Sequence, residues 1–317
     1  MIKIRTSVYF TLVLVLITVI VSCKKKEEVV VDSIPPISPQ LINEIKEEMY
    51  SDAEAPEGEP VFLWDFSKKN VYGYDFEQMT KNSMDMGEGG KLNSKPGEMD
   101  QTMSAKGDLF IKSQGDGTAD LVLKDLKASM KMNMGNNQEP RTMEQAMPPF
   151  VAQGIKEDGT GPFGNSSQDL FLKMLFPLPT KTLRLGESID IPAQMPFNAM
   201  GSMLMVKGRS KITLKRYVKI GKRTCAELNV DIDISDLNVP SDLEGEYKCS
   251  TKGTSVFYFD TESRCFISGY TAMVMQFSVD APMPKMNISG EKESNMPKRT
   301  KMSMISDNLI KVKLKEK

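Results

Sequence analysis

The sequence predicts a mainly β protein of antiparallel strands, in one large sheet or two related ones, with a few short helices. Apolar and polar residues alternate with period two over several stretches, as in Val71-Tyr-Gly-Tyr-Asp-Phe-Glu-Gln78 and Met130-Lys-Met-Asn-Met134. Successive side chains of a strand point to opposite faces, so this period marks half-buried strands. Short Gly- and Asp-bearing turns separate such stretches, and Gly115-Asp-Gly117 between 109–112 and 119–126 reads as the turn of a hairpin. Helical periodicity is confined to two short stretches, 39–50 and 168–176.

From the start of the chain, Lys3 and Arg5 precede an apolar run over 8–21. At about fourteen residues the run is shorter than the roughly 20 an α-helix needs to cross a bilayer, so a removed signal peptide over 1–22 is expected rather than a permanent anchor. Ile20-Val21-Ser22-Cys23 resembles the lipobox of bacterial lipoproteins, with Ile20 where the commonest pattern has Leu. That resemblance implies a diacylglyceryl group on the Cys23 sulfur, attached before cleavage, and a membrane partner reached through this lipid. Lys24, rather than Asp, follows Cys23, and Lys26-Glu27-Glu28 resembles a surface-export signal of certain lipoproteins. The implied address is the cell envelope, at the outer membrane.

Residues 23–60 are expected to form a lipidated tether. The run Lys24-Lys25-Lys26-Glu27-Glu28 and Pro35, Pro36 and Pro39 bury little apolar surface. Ser38 before Pro39 can cap a short helix to Tyr50, with Leu41, Ile42, Ile45 and Met49 on one face. A first β-rich half follows over 61–165, with a polar Gly-bearing loop over 82–100. Over 166–180 a connecting helix is capped by Ser166 or Ser167 and stopped by Pro177 and Pro179. The second β-rich half, 181–317, has strands at 203–217 (broken at Gly208), 224–234, 246–259, 265–279 and 298–315, the last interrupted near Asp307-Asn308. In that strand Lys311, Lys313 and Lys315 alternate with Ile310, Val312 and Leu314, as in an edge strand whose charged face resists further pairing. Residues 117–123 and 223–230 share a Thr, small residues, an acid and a Leu after a turn, which hints at duplication of the halves.

Composition narrows the chemistry. The chain has no histidine, which excludes Ser-His-Asp and Cys-His nucleophiles, HExxH zinc sites and histidine acid–base catalysis. Loss of 1–22 removes Lys3 and Arg5 and no acid, leaving 39 basic against 42 acidic residues. Nucleic acid is therefore not expected as a partner. Beyond Cys23 lie Cys225, Cys249 and Cys265, whose spacing fits no CxxC metal pattern; one disulfide or none is expected, with buried thiols. Asp231, Asp233 and Asp236 could line a cation site, but Asp231 and Asp233 alternate with Val230, Ile232 and Ile234, and so read as a solvated strand face instead. No catalytic residue, metal or cofactor is assigned.

Methionine is the unusual residue, with 24 in the chain and repeated Met-x-Met pairs. Residues two apart share a strand face, so each pair sets two thioethers side by side. Three readings stay open: ordinary core, an adaptable apolar groove, and soft-metal binding of Cu(I). In the groove reading, Met130, Met132, Met203, Met205, Met273 and Met275 line a site for an apolar small molecule or lipid such as an acyl chain.

Leu175-Phe-Pro-Leu-Pro179, Leu183-Arg-Leu-Gly-Glu187, Gly253 and Val256-Phe-Tyr-Phe-Asp260 together resemble a family of bacterial envelope lipoproteins. In that family a Pro-Leu-Pro segment leads into a Gly-Asp/Glu strand start, and a Tyr-Phe-Asp strand end leads into a hairpin. Here Arg264 stands where such hairpins often have Gly. The resemblance spans about residues 61–279 and implies long, curved antiparallel strands with a helix against them, similar to the half-barrels of lipoprotein carriers. It carries over no catalytic residue. Two functions follow: a non-enzymatic, lipid-anchored binder of an apolar ligand, or a structural or protein-interaction lipoprotein with a packed core and no ligand.

Overall fold

The computed structural model describes residues 50–85, 98–133, 141–162, 167–199, 202–241, 243–282 and 299–316. Cys23, residues 1–22, the expected 39–49 helix and Ser166 lie outside the described residues. The elements are β1 (Ser51–Asp52), β2 (Val71–Asp85), β3 (Glu98–Ser113), β4 (Thr118–Asn133), β5 (Arg141–Ala146), β6 (Phe150–Lys156), α1 (Ser167–Leu175), β7 (Ser188–Ala199), β8 (Ser202–Ile220), β9 (Arg223–Asn238), β10 (Glu246–Asp260), β11 (Cys265–Pro282) and β12 (Arg299–Leu314).

All twelve strands belong to one open sheet in the order β1-β8-β9-β10-β11-β12-β2-β3-β4-β5, with β7 beside β1 on β8 and β6 beside β5 on β4. Every pairing is antiparallel. The two segments with the duplication-like pattern each begin the second strand of a hairpin, β4 and β9, within this single sheet.

Several elements differ from expectation, each for a physical reason. Strands β2 and β3 run to Asp85 and from Glu98, so the expected 82–100 loop shrinks to its middle, which lies outside the described residues. The first strand expected after the helix starts at residue 203, yet β7 precedes it and includes Pro192 and Pro196, as an edge strand does not need every N–H for pairing. The C-terminal strand is not an edge: β12 sits between β11 and β2, continuous through Asp307 and Asn308. Its lysines serve a charged outer face instead. Lys311 lies opposite Glu77, which pairs with Lys106 at 2.7 Å, and Lys315 reaches Asp108 at 2.7 Å.

The sheet must curl. Strands β6 and β7 lie nine strand steps apart, about 43 Å in a flat sheet, whereas the nine-residue α1 is about 13 Å long. Yet α1 packs on β7, and Phe171 in α1 lies 6.0 Å from Phe150 at the start of β6, ring centre to ring centre. The helix therefore fills the trough of a half-barrel, with the core between it and the concave face.

One end of this trough is plugged. Residues 61–66 cross it, held by Trp64 N–H to the Glu157 carbonyl at 2.8 Å on the β6 side, and by the Arg264 guanidinium donating to the carbonyls of Leu63 (3.0 Å) and Trp64 (2.8 Å) on the β10–β11 side. The Trp64 ring lies 5.3 to 5.7 Å from those of Phe66, Tyr72, Phe176 and Phe266. Gly269 makes room for Phe257, whose ring packs on Phe266, since a Cβ at 269 would overlap the edge of the Phe257 ring.

A bulge sets what the far side of the trough presents. Opposite Gly107, β4 inserts one extra residue at Asp125, whose φ is 54°. Before it Ala119, Leu121 and Leu123 face the core; beyond it the inward set becomes Ala128, Met130 and Met132, opposite Ala105, Met103 and Gln101. A Cβ on Gly107 would press on the Lys124 carbonyl at 3.0 Å.

Candidate functional site

Between α1 and the concave face lies a cavity of about 150 Å³. Its floor is built by alternation: Ile212 of β8, Val230, Ile232 and Ile234 of β9, Thr251 and Ser255 of β10, and Met273 and Met275 of β11 all point inward. Ile191, Ala193 and Met195 of β7 form one wall, while Met174, Phe176, Pro177 and Leu178 form the roof. The roof is pinned to the floor, because Thr271 Oγ1 donates to the Met174 carbonyl at 3.0 Å and so satisfies one of the free carbonyls at the end of α1.

Register extends this floor across the trough. The Met273 row runs Ile232, Gly253, Met273, Asn308, Thr80, Met103, Met130. Gly253 gives Met273 its room, since a Cβ there would lie 2.7 Å from Met273 Cγ. Along β12 and β2 the row turns polar. Thr80 Oγ1 donates to Asn308 Oδ1 at 2.8 Å, and Asn308 Nδ2 donates to Ser306 Oγ at 3.0 Å. Gln78 and Asn308, 6% and 8% exposed, line the cavity on that side. The Met273 row is thus apolar from β9 to β11, polar along β12 and β2, and apolar again beyond, while Thr251, Ser255 and Thr271 add hydroxyls to the neighbouring inward positions of β10 and β11.

Of the methionines singled out in the sequence, Met273 and Met275 line the cavity and are buried. Met130 and Met132 are on the same concave face but beyond the polar stripe, half-buried and away from the cavity. Met203 and Met205 share a face, as their spacing requires, but it is the outer one: β8 turns Leu204 and Val206 inward, and Met203 is 64% exposed. Sequence reasoning missed Met195, Met174, Ser255 and Asn308. The alternation of Ile189, Ile191, Ala193 and Met195 is a usable signal, masked by the interleaved prolines.

The remaining candidates serve structure. Asp231, Asp233 and Asp236 are exposed and register against Lys211, Arg209 and Lys207. Among the described residues, no group of three or more Cys, Asp and Glu side chains could hold a metal ion. Cys225, Cys249 and Cys265 are free thiols, all buried. Burial pushes each up to about 12, aided by the Asp260 charge at Cys225 and Cys265, so none is a nucleophile at neutral pH. Glu227, wholly buried, is matched by Arg216 at 2.8 Å and Lys215 at 3.1 Å.

No family model matches the chain, and no curated protein matches it. Among solved structures it is similar to lipovitellin, from a structure of lipid–protein interactions in that protein, at 8% identity and a TM-score of 0.38. The match covers 78% of this chain and 25% of that one, so the chain spans about a quarter of its length. The translocator domain of the autotransporter NalP from Neisseria meningitidis matches at 8% identity and a TM-score of 0.16, over 76% of this chain and 88% of that one. Likenesses of this size carry no argument about function.

Proposed function

We propose that the chain is a lipid-anchored lipoprotein of the cell envelope, of the family its Pro-Leu-Pro and Tyr-Phe-Asp motifs resemble, and that it binds an apolar ligand non-enzymatically on its concave face. The observation that carries this reading is the cavity of about 150 Å³ floored by Met273, Met275 and the isoleucines of β8 and β9. An apolar cavity of about that volume in another protein holds benzene. A ring or a short alkyl segment therefore fits without rearrangement. A longer acyl chain requires Met195, Met273 and Met275 to change rotamer, which an unbranched thioether side chain does at low cost.

The proposed anchor is Cys23, with the outer membrane as its address. Protein delipidated and then incubated with an envelope lipid extract is expected to retain lipid in native mass spectrometry, and failure to retain any sinks the binding reading. Anchoring is tested separately. Cys23→Ala is expected to move the chain from the membrane to the soluble fraction and to abolish incorporation of labelled fatty acid.

A further inference from the structure

The cavity floor is not a bare hydrocarbon surface. Ser255 is 2% exposed and lines the cavity, and its hydroxyl has no hydrogen-bond partner among the described residues. On β10, Ser255 faces Thr271 and Val230 across the sheet, positions where a packed β core would place an apolar side chain. Thr251, further along the same face, has the Met195 thioether sulfur as its acceptor at 3.8 Å, a weak bond. Asn308 and Gln78 bring amides to the same cavity from β12 and β2. The stripe continues to Asn82, whose Oδ1 is buried and unpartnered while its Nδ2 donates to Gln101. The charged side chains lining the cavity are Asp158 and Lys173, one of each sign, contributed by the β6–α1 connection and by α1 itself; the sheet floor contributes neither.

We propose that the ligand is a neutral amphiphile: an alkyl chain carrying an uncharged oxygen function, a hydroxyl or ester, that hydrogen-bonds Ser255 and the amides beside it. This rests on the apolar-ligand reading above and narrows it. A hydrocarbon would leave the Ser255 hydroxyl unpaired in the filled cavity. A carboxylate seated on the floor would be a buried charge with no cation from the sheet to pair it.

The test is calorimetric titration of the mature chain with 1-hexanol, 1-chlorohexane and hexanoate at neutral pH. Hexanol is expected to bind about tenfold more tightly than chlorohexane, the worth of one good neutral hydrogen bond, and hexanoate more weakly than hexanol by at least that factor. Ser255→Ala is expected to remove most of the advantage of hexanol and leave chlorohexane unchanged, while Ser255→Thr, which keeps a hydroxyl, retains it. Equal affinities for the three probes, tightest binding by hexanoate, or a Ser255→Ala effect shared by all three overturns this inference and leaves the apolar-ligand reading standing. If none of the three binds, both fall.

Discussion

The two parts of the trough are lined by the same alternating strands and packed in opposite ways. At the plugged end Trp64, Phe66, Tyr74, Phe176, Phe257 and Phe266 are buried against one another, with the Tyr74 hydroxyl donating to the Phe266 carbonyl at 2.9 Å. Toward the middle the lining changes to methionine, isoleucine, serine and threonine, and free volume remains. Rigid rings brought in by a crossing segment fill a curled sheet to crystal-like density, whereas flexible thioethers with small hydroxyl residues leave a space that can adapt. The first end is filled by buried rings, and the second keeps free volume.

Substitutions at both ends put this contrast at risk. The largest effect is expected from Trp64→Ala, which opens the plug and should cost about 3–5 kcal/mol in urea denaturation. Met275→Leu in the cavity should cost less than about 1.5 kcal/mol; equal losses at the two positions would erase the distinction.

Next comes Arg264, whose φ of 50° is a left-handed conformation glycine would adopt more easily. Arg264→Gly relieves that strain but removes the two bonds to the Leu63 and Trp64 carbonyls, so a net loss of about 1–2 kcal/mol is expected. A gain in stability would mean that the guanidinium does not hold the plug.

Ile234→Phe, directed into the cavity, should change stability by less than about 1 kcal/mol because it fills existing space. The same substitution should weaken 1-hexanol binding at least about tenfold, as read by calorimetry, by occupying the ligand volume.

The smallest effect concerns the thiols. Cys249 is raised by burial from 9.0 to about 12, so the folded state holds its proton where the unfolded state loses it. Its contribution to stability is complete below pH 9 and lost as pH rises toward 12. Cys249→Val should flatten the alkaline fall in stability across that window. Native protein carrying Cys23→Ala should show no reaction with Ellman's reagent at pH 8 until denatured.

Much of the fold is legible in the order of residues. Residues 71–78 alternate so plainly that β2 is readable, and the turn at 115–117 marks the β3–β4 hairpin. Strand β7 is not legible, because Pro192 and Pro196 are acceptable only at an edge, and edge position is a property of the whole sheet. The outward direction of Met203 is hidden for a related reason. Spacing says that Met203 and Met205 share a face, but which face is inward depends on where Leu204 and Val206 meet their partners on β9. The site is half legible. Met273 and Met275 stand out by their spacing, whereas Ser255 and Asn308 do not, because a polar residue at an inward position looks like ordinary surface until register places it.

Strand period, turns, the absence of histidine chemistry and the shared faces of the methionine pairs are written in the chain itself. These are local properties, set within a few residues by backbone sterics and side-chain type. Long-range pairing was needed to make β12 central, to turn Met130 inward at the Asp125 bulge, and to seal one end of the trough with 61–66. It also left a cavity, its apolar floor interrupted by Thr251 and Ser255, open beside the sealed end. Those outcomes join segments far apart in the chain, such as Arg264 with Trp64 and Leu314 with Tyr74, and a one-residue change in register would reverse them.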